Sequence, residues 1–423
     1  MKKIKFVVVL MALAMVQISC DKNGPAGGDD APEAGTPLTV TEGKSKIENS
    51  GTEMLNKIDM FRSDESVQKL NELSDYLDQN MTQNRSLSNS SSIFRFFLGL
   101  GDAVSSGKLN AKSIVAEQNR SMNSDDLWDD YQDETGVYVW NSTTGDFVKT
   151  AESDDLDYSI SYMVNGISKS ATFLVSNFSV RNITPDADQM VKSVEVSFKI
   201  DAEECFNFSL ASQYSNYLPT SLTSSLTFGG LSSTLTYTNN GNTNISAETK
   251  IILNGTQLFK LNNNATGDVS MLDNGQEPEE EDIPNVYSTA SSTLTVLNIV
   301  LSVDFQIATY GTWLNNNPDA TTEENIAQLN NNSNISISTT GGQSIAIAEY
   351  YLSIKEYSDT EYNYETGEYM EVTKTSEDID IRFIFDDGTS SDFETYFGEG
   401  FQAIEDQFNT VSDSYEDMGP NNL

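Results

Sequence analysis

The sequence predicts a sheet-dominated α+β protein: a large antiparallel sheet, curved or folded into a sandwich, preceded by helices and followed by a C-terminal amphipathic helix. Three observations predict it. Apolar residues recur at three and four positions up to residue 79, then at every second position from Gly136 onward. Ser, Thr and Asn fill the alternate places of the second pattern, where β-branched and hydroxyl side chains suit a half-wet pleated surface. The breaks between apolar runs include short Gly- and Asn-containing turns, the punctuation of hairpins.

The chain opens with Lys2, Lys3 and Lys5 and an apolar run over 6–16, too short to span a bilayer and shaped like a secretory signal. The run ends in Gln17-Ile18-Ser19-Cys20, which resembles the lipobox of bacterial lipoproteins. The resemblance covers this segment and the stretch just after it. It implies cleavage before Cys20 (a signal peptide over 1–19), lipidation of the Cys20 thiol, and attachment to a membrane through acyl chains, each buried methylene of which contributes ~0.8 kcal/mol. Gln17 stands where the family usually has Leu. Asp21 directly after the cysteine resembles the inner-membrane retention signal of some Gram-negative lipoproteins, whereas acidic residues soon after the cysteine also resemble the Bacteroidetes-type export signal. The very acidic, Asn-, Ser- and Thr-rich chain favours the second, which implies an outer-membrane protein, its leaflet left open. Residues 20–44, rich in Gly, Pro, Asp and Glu, read as a flexible tether.

A helical section is expected over 45–123. Leu55, Ile58 and Phe61, then Val67, Leu70, Leu73 and Leu77, form an apolar stripe, broken at 63–66 where Ser63 is the expected N-cap. "IFRFFLGLGDAV" reads as a short buried helix, its Arg95 paired or snorkelling. From 124 to 423 an antiparallel β-rich body is expected. "GVYVWNSTTGDFVKT" reads as a hairpin, and Asn254-Gly255 is a strong type I′ turn marker. Alternating runs continue through "TLTVLNIVLSVDFQIATY". A helix beginning at Pro318 or Asp319 should dock through Ile326 and Leu329, and "SNISIST", "QSIAIAEYYLSIKEY", "YMEVTKT" and "DIDIRFIF" supply further strands around a Gly367 turn. The acidic, proline-bracketed stretch 274–285 reads as a surface loop. Ser391 and Glu394 should make a capping box for a helix carrying Phe393, Phe397, Phe401, Ile404 and Phe408.

Composition restricts function more than it reveals it. Lys and Arg number 24 against 64 Asp and Glu, a net charge of −40. Loss of residues 1–19 removes three lysines and no acid, which moves it to −43. Such a field repels phosphate backbones and argues against nucleic-acid partners. There is no histidine, which removes Ser–His–Asp and Cys–His catalysis and most catalytic zinc and iron sites. With Cys20 lipidated, Cys205 is the one remaining thiol, so no intramolecular disulfide is available; in "EECFNFSL" it should be a small buried residue of a strand.

Two acidic stretches are candidate cation sites. In "SDDLWDDYQDE", Asp125, Asp126, Asp129, Asp130 and Asp133 have the oxygen chemistry for calcium but not the glycine or closing Glu of an EF-hand; a solvated linker pinned by Trp128 accounts for the same residues. In "FDDGTSSD", Asp386, Asp387 and Asp392 suit either a cation or a strand–turn–helix junction. The expected role is a non-catalytic binding or structural lipoprotein, its partner a protein, a glycan or an apolar ligand. The alternative is a carbohydrate-active lipoprotein, either a glycan-binding module or a carboxylate-pair hydrolase, with Trp128, Trp140 and Trp313 as stacking platforms.

Overall fold

A computed structural model of the chain describes residues 37–61, 63–80, 127–184, 187–274, 283–363, 368–392 and 395–396. The signal segment, Cys20, the 93–104 run, Gly367 and the expected helix beyond Tyr396 lie outside them. Among the described residues no helix is long and apolar enough to cross a membrane.

Helix α1 (Val40–Phe61) starts inside the stretch expected as tether. The signal for that start is a capping box: Thr39 Oγ1 accepts from Glu42 N at 3.3 Å, and Glu42 Oε2 accepts from Thr39 N at 3.0 Å. Helix α2 (Glu65–Asn80) comes after a tight break. Its cap is Asp64 rather than Ser63. Asp64 Oδ1 accepts from Ser66 N at 2.8 Å, whereas Ser63 Oγ turns back to close α1 on Met60 O at 2.8 Å.

The remaining helices are α3 (Leu127–Glu134), α4 (Ile283–Val286), α5 (Ile307–Asn316) and α6 (Thr322–Asn332). Helix α6 begins later than Pro318, because Thr321 and Glu324 form a second reciprocal capping box. Helix α5 begins within "QIATY", which alternation had suggested as strand. Its Gly311 lets Pro284 approach so closely that a Cβ there would lie 2.1 Å from the proline ring.

Among the described residues, all strands join one sixteen-stranded sheet. They are β1 (Gly136–Asn141), β2 (Asp146–Ala151), β3 (Leu156–Val164), β4 (Ile167–Thr184), β5 (Ala187–Ile200), β6 (Glu203–Tyr214), β7 (Pro219–Phe228), β8 (Leu231–Asn239), β9 (Asn244–Leu253), β10 (Thr256–Gly267), β11 (Tyr287–Val296), β12 (Ile299–Phe305), β13 (Ser333–Thr339), β14 (Ser344–Asn363), β15 (Glu368–Ile384) and β16 (Ser390–Asp392). From β3 to β16 the order is an antiparallel meander, each strand beside its sequence neighbour. The exception is at the other edge. There β1 lies between β2 and β3 and runs parallel to β3. The chain passes from β2 to β3 across the start of β1, where Gly136 (φ +145) donates to Asp155 O at 2.9 Å and any Cβ would strike the Lys149 side chain.

The hairpin turns obey local chemistry. Asn254 (φ 49) and Gly255 (φ 76) adopt the left-handed pair a two-residue turn needs, and Asn165-Gly166 does the same between β3 and β4. Alternation then sorts the sheet into two faces. On β3, Leu156, Tyr158, Ile160 and Tyr162 are buried while Ser161 and Met163 face solvent. The buried side receives both long helices. Phe61 meets Phe228 edge-on at 5.6 Å, Val67 joins the same cluster, and Leu73 and Leu77 pack on Trp140, Ile160, Tyr162 and Cys205. The other end of α1 packs Val40 and Ile47 against Ile337, Ile345 and Phe383. Helix α1 therefore lies across the strands, from β14 to β7. Asp64 fixes that crossing, since its Oδ2 accepts from Gly230 N at 3.0 Å at the β7–β8 turn.

Candidate functional site

Of the acidic residues at 125–133, Asp125 and Asp126 fall outside the described residues. Asp129, Asp130 and Asp133 lie on helix α3, and Asp133 is exposed. The anchor of this helix is Tyr131 rather than Trp128. Tyr131 is buried, its hydroxyl donates to Asp154 O and Val175 O at 3.3 Å each, and its ring sits 4.4 Å from that of Phe178. Burial, with Asp155 nearby, pushes its phenol up to about 12. Trp128 stacks on Phe178 at 6.2 Å with 36% of its surface exposed. Among the described residues, no three or more acidic or cysteine side chains converge as a metal site.

The second acidic turn is built from its own hydrogen bonds. Asp387 Oδ1 accepts from Thr389 N and Oγ1 at 2.9 and 2.6 Å around Gly388 (φ 80). Asp392, not Ser391, caps the helical residues 395–396, accepting from Thr395 N at 2.7 Å; Ser391 lies in strand β16, and Glu394 is outside the described residues.

The tryptophans divide between core and rim. Trp140 is 8% exposed inside the α2 cluster and is no platform for a sugar, while half-buried Trp313 stacks on Tyr310 at 6.3 Å. Cys205 is a buried free thiol on β6, as its sequence context indicates; burial, partly offset by Ser66, pushes its pKa up and makes it unreactive.

A buried carboxylate that sequence reasoning missed is Asp273, in the 3₁₀ turn after β10 (Leu272–Asn274). It accepts from Ser215 Oγ, from Asn216 N at 3.0 Å, from Leu218 N at 3.1 Å and from Asn242 Nδ2 at 3.4 Å. Burial raises its pKa, but these donors outweigh that effect and hold it below the usual carboxylate range. Its chemistry is that of a clamp, drawing the β6–β7 and β8–β9 turns together. "DNG" at 273–275 gave no hint of it, because every donor is distant in sequence or a backbone amide.

The helix-bearing face of the sheet carries extended apolar rows. Registers align one cross-strand row over ten strands: Val194, Leu210, Ser224, Leu235, Thr249, Leu261, Leu294, Leu301, Ile337 and Ala346. The next row toward the β7–β8 turn carries Phe208, Leu226, Ser233, Ile251, Phe259, Val296 and Ile299. Its ends belong to the packed clusters beneath α1 and α2. In the middle, Leu235, Ile251, Leu261 and Leu294 are only half-buried. The reverse face presents Ser225, Thr234, Thr236, Asn262, Thr293 and Ser302, with Glu248 bridging Lys260 at 2.8 Å and Lys250 at 3.2 Å. One face thus carries a strip of leucine and isoleucine with interspersed hydroxyls, and the other is mainly polar, with Ile252, Val300 and Ile347 among its hydroxyl and charged residues.

No known protein family matches the sequence, and no curated protein or solved structure resembles it.

Proposed function

We propose that this chain is a lipid-anchored, extracytoplasmic lipoprotein, held at the outer membrane through Cys20, whose sheet binds an acyl-bearing lipid without catalysis. The observation that carries the binding role is the strip of half-buried Leu235, Ile251, Leu261 and Leu294 on the helix-bearing face. Such a face loses about 25 cal/mol for each Å² of apolar surface left wet, so an apolar occupant is favoured over water. The sheet is curved in this reading. From Gly43 to Phe61, α1 rises about 27 Å, yet the strands touched at its two ends, β14 and β7, are seven steps of ~4.8 Å apart. Side-chain reach and the curl that strand twist imposes make up the difference. An anchor in the bilayer would keep such a trough at a lipid surface. The absence of histidine from the sequence supports binding over histidine-based hydrolysis.

Mass spectrometry of the mature protein tests the anchor: a diacylglyceryl Cys20 is expected, and an intact Met1 or an unmodified Cys20 thiol would overturn it. Titration with a dansylated fatty acid tests the trough. Saturable fluorescence enhancement is expected, weakened at least about tenfold by Leu261→Gln in a variant that keeps its far-ultraviolet spectrum. Enhancement equal in that variant would remove the assignment.

A further inference from the structure

The β14–β15 hairpin outruns the sheet it belongs to. Strand β13 pairs with β14 only as far as Ala348, and β16 pairs with β15 only at 382–384. Beyond those points β14 and β15 pair with each other alone, in unbroken register out to Asn363 and Glu368. The first residue past the β13–β14 pairing with an outward-facing backbone, Tyr350, is covered by a side chain. Asn330 of α6 donates to Tyr350 O at 2.8 Å and accepts from Tyr350 N at 2.7 Å, taking the place of a neighbouring strand. Because Tyr350 faces its amide and carbonyl outward, Leu352, Ile354, Glu356, Ser358 and Thr360 do so too, two residues apart along a strand without a bulge. No strand among the described residues pairs with that edge.

Charge on this ribbon is segregated by face. Lys355, Lys374 and Arg382 all lie on one face, where they pair with Asp380 at 2.7 Å, Asp359 at 2.6 Å and Glu349 at 2.6 Å. The opposite face, shared with α6, carries exposed Ile354, Glu356, Glu371 and Glu377 among Ser and Thr, with no cation among the described residues. Glu323 and Glu324 of α6 add to the same side. Ile354 is 64% exposed, and Tyr357 on the paired face is 47% exposed.

We infer that the outer edge of β14, from Leu352 to Thr360, is a docking edge for an extended segment of a partner protein with Lys or Arg at alternate positions. The segment adds to the ribbon as a further strand. Its backbone satisfies the outward amides and carbonyls, its cations face Glu356, Glu371 and Glu377, and its intervening apolar side chains lie beside Tyr357. A second copy of this chain is a poor occupant. Two antiparallel copies of this edge, centred on its middle residue, would set Glu356 against Glu356, a like-charge pair that destabilises a ladder.

The test uses the mature protein and two acetylated decapeptides of equal charge, one alternating Lys and Val, the other alternating Lys and Pro. Both feel the acidic field of the whole protein, but only the first can complete a ladder. The Lys–Val peptide is expected to bind at least about tenfold more tightly. Glu356→Pro removes one outward amide and no bond to β15, and should bring Lys–Val binding down to the Lys–Pro level. Glu371→Lys keeps every backbone group and should weaken Lys–Val binding while leaving its preference over Lys–Pro. Equal binding of the two peptides, or undiminished binding to a folded Glu356→Pro protein, would overturn the docking edge. Should Glu356→Pro fail to fold, unchanged binding to Glu371→Lys would overturn the facing of the cations.

Discussion

Asp64 does two jobs with one carboxylate: it caps α2 through Ser66 N and holds the β7–β8 turn through Gly230 N. Gly229 (φ 52) and Gly230 admit it because a Cβ on either would come within about 2 Å of a neighbouring side chain, 2.1 Å from Asp64 and 2.0 Å from Asn254. Asp64→Ala should cost about 2–3 kcal/mol, combining a lost cap with an unpaired part-buried amide. Asp64→Ser, which keeps a cap but is too short for Gly230, should recover about 1 kcal/mol of that in urea unfolding. Asp273 makes a pH prediction. Its folded pKa is depressed, so its stabilisation is complete above the ordinary carboxylate pKa of about 4 and is lost as pH falls through the lower folded value. Asp273→Ala should lower stability at pH 7 by about 3 kcal/mol and flatten the pH dependence of unfolding below pH 4; an unchanged acid limb would contradict this. Neither residue's role was legible in the sequence. "SDES" showed that a helix begins there, but a choice between Ser63 and Asp64 depends on Gly230, 166 positions away.

At the scale of elements, what the sequence disclosed was periodicity, and what it hid was tertiary. Leu55, Phe61, Val67, Leu73 and Leu77 are all buried where the helical stripe puts them. Strands β4 to β10 match their alternating runs, and the Asn254-Gly255 turn is where its sequence says. Helix α5 was misread because "QIATY" is too short to separate a period of two from one of 3.6. Its N-terminus lacks a side-chain cap, and it is secured by Pro284 on Gly311 and by the Tyr310–Trp313 stack. Both Thr-x-x-Glu boxes were legible in principle, at 39–42 and 321–324. The strip of leucines was not, because its residues come from strands whose registers only the sheet defines. The relative weight of cap and core is testable. Thr321→Ala should cost about 1 kcal/mol, since the cap is exposed and water can replace it. Leu73→Ala, which empties a buried position beneath Trp140 and Ile160, should cost about 3 kcal/mol. Equal losses would mean that α2 is less firmly seated on the sheet than its burial requires.

For the whole molecule, the dominant long-range term is self-repulsion. Sixty-four carboxylates against twenty-four cations leave −40 on the chain, and cations are too few for pairing to neutralise it. The described ion pairs, such as Lys355–Asp380 and Lys374–Asp359, are part-exposed and contribute little each. Salt therefore acts mainly by screening repulsion, which extends over ~30 Å at 0.01 M and ~8 Å at 0.15 M. Raising sodium chloride from 0.01 to 0.3 M should raise the melting temperature, on the order of 5 °C, and choline chloride should do the same, because screening depends on ionic strength and not on the cation. The same experiment bears on Asp125, Asp126, Asp129, Asp130 and Asp133. Screening makes calcium and magnesium chloride equivalent at equal ionic strength, whereas a carboxylate site with calcium's flexible coordination favours calcium at micromolar to millimolar concentration. A rise in melting temperature with calcium that magnesium does not match, abolished by Asp129→Asn with Asp133→Asn, would locate a cation site on α3. Matched curves would leave those carboxylates as part of the general field, whose relief by simple salt is then the larger contribution to stability.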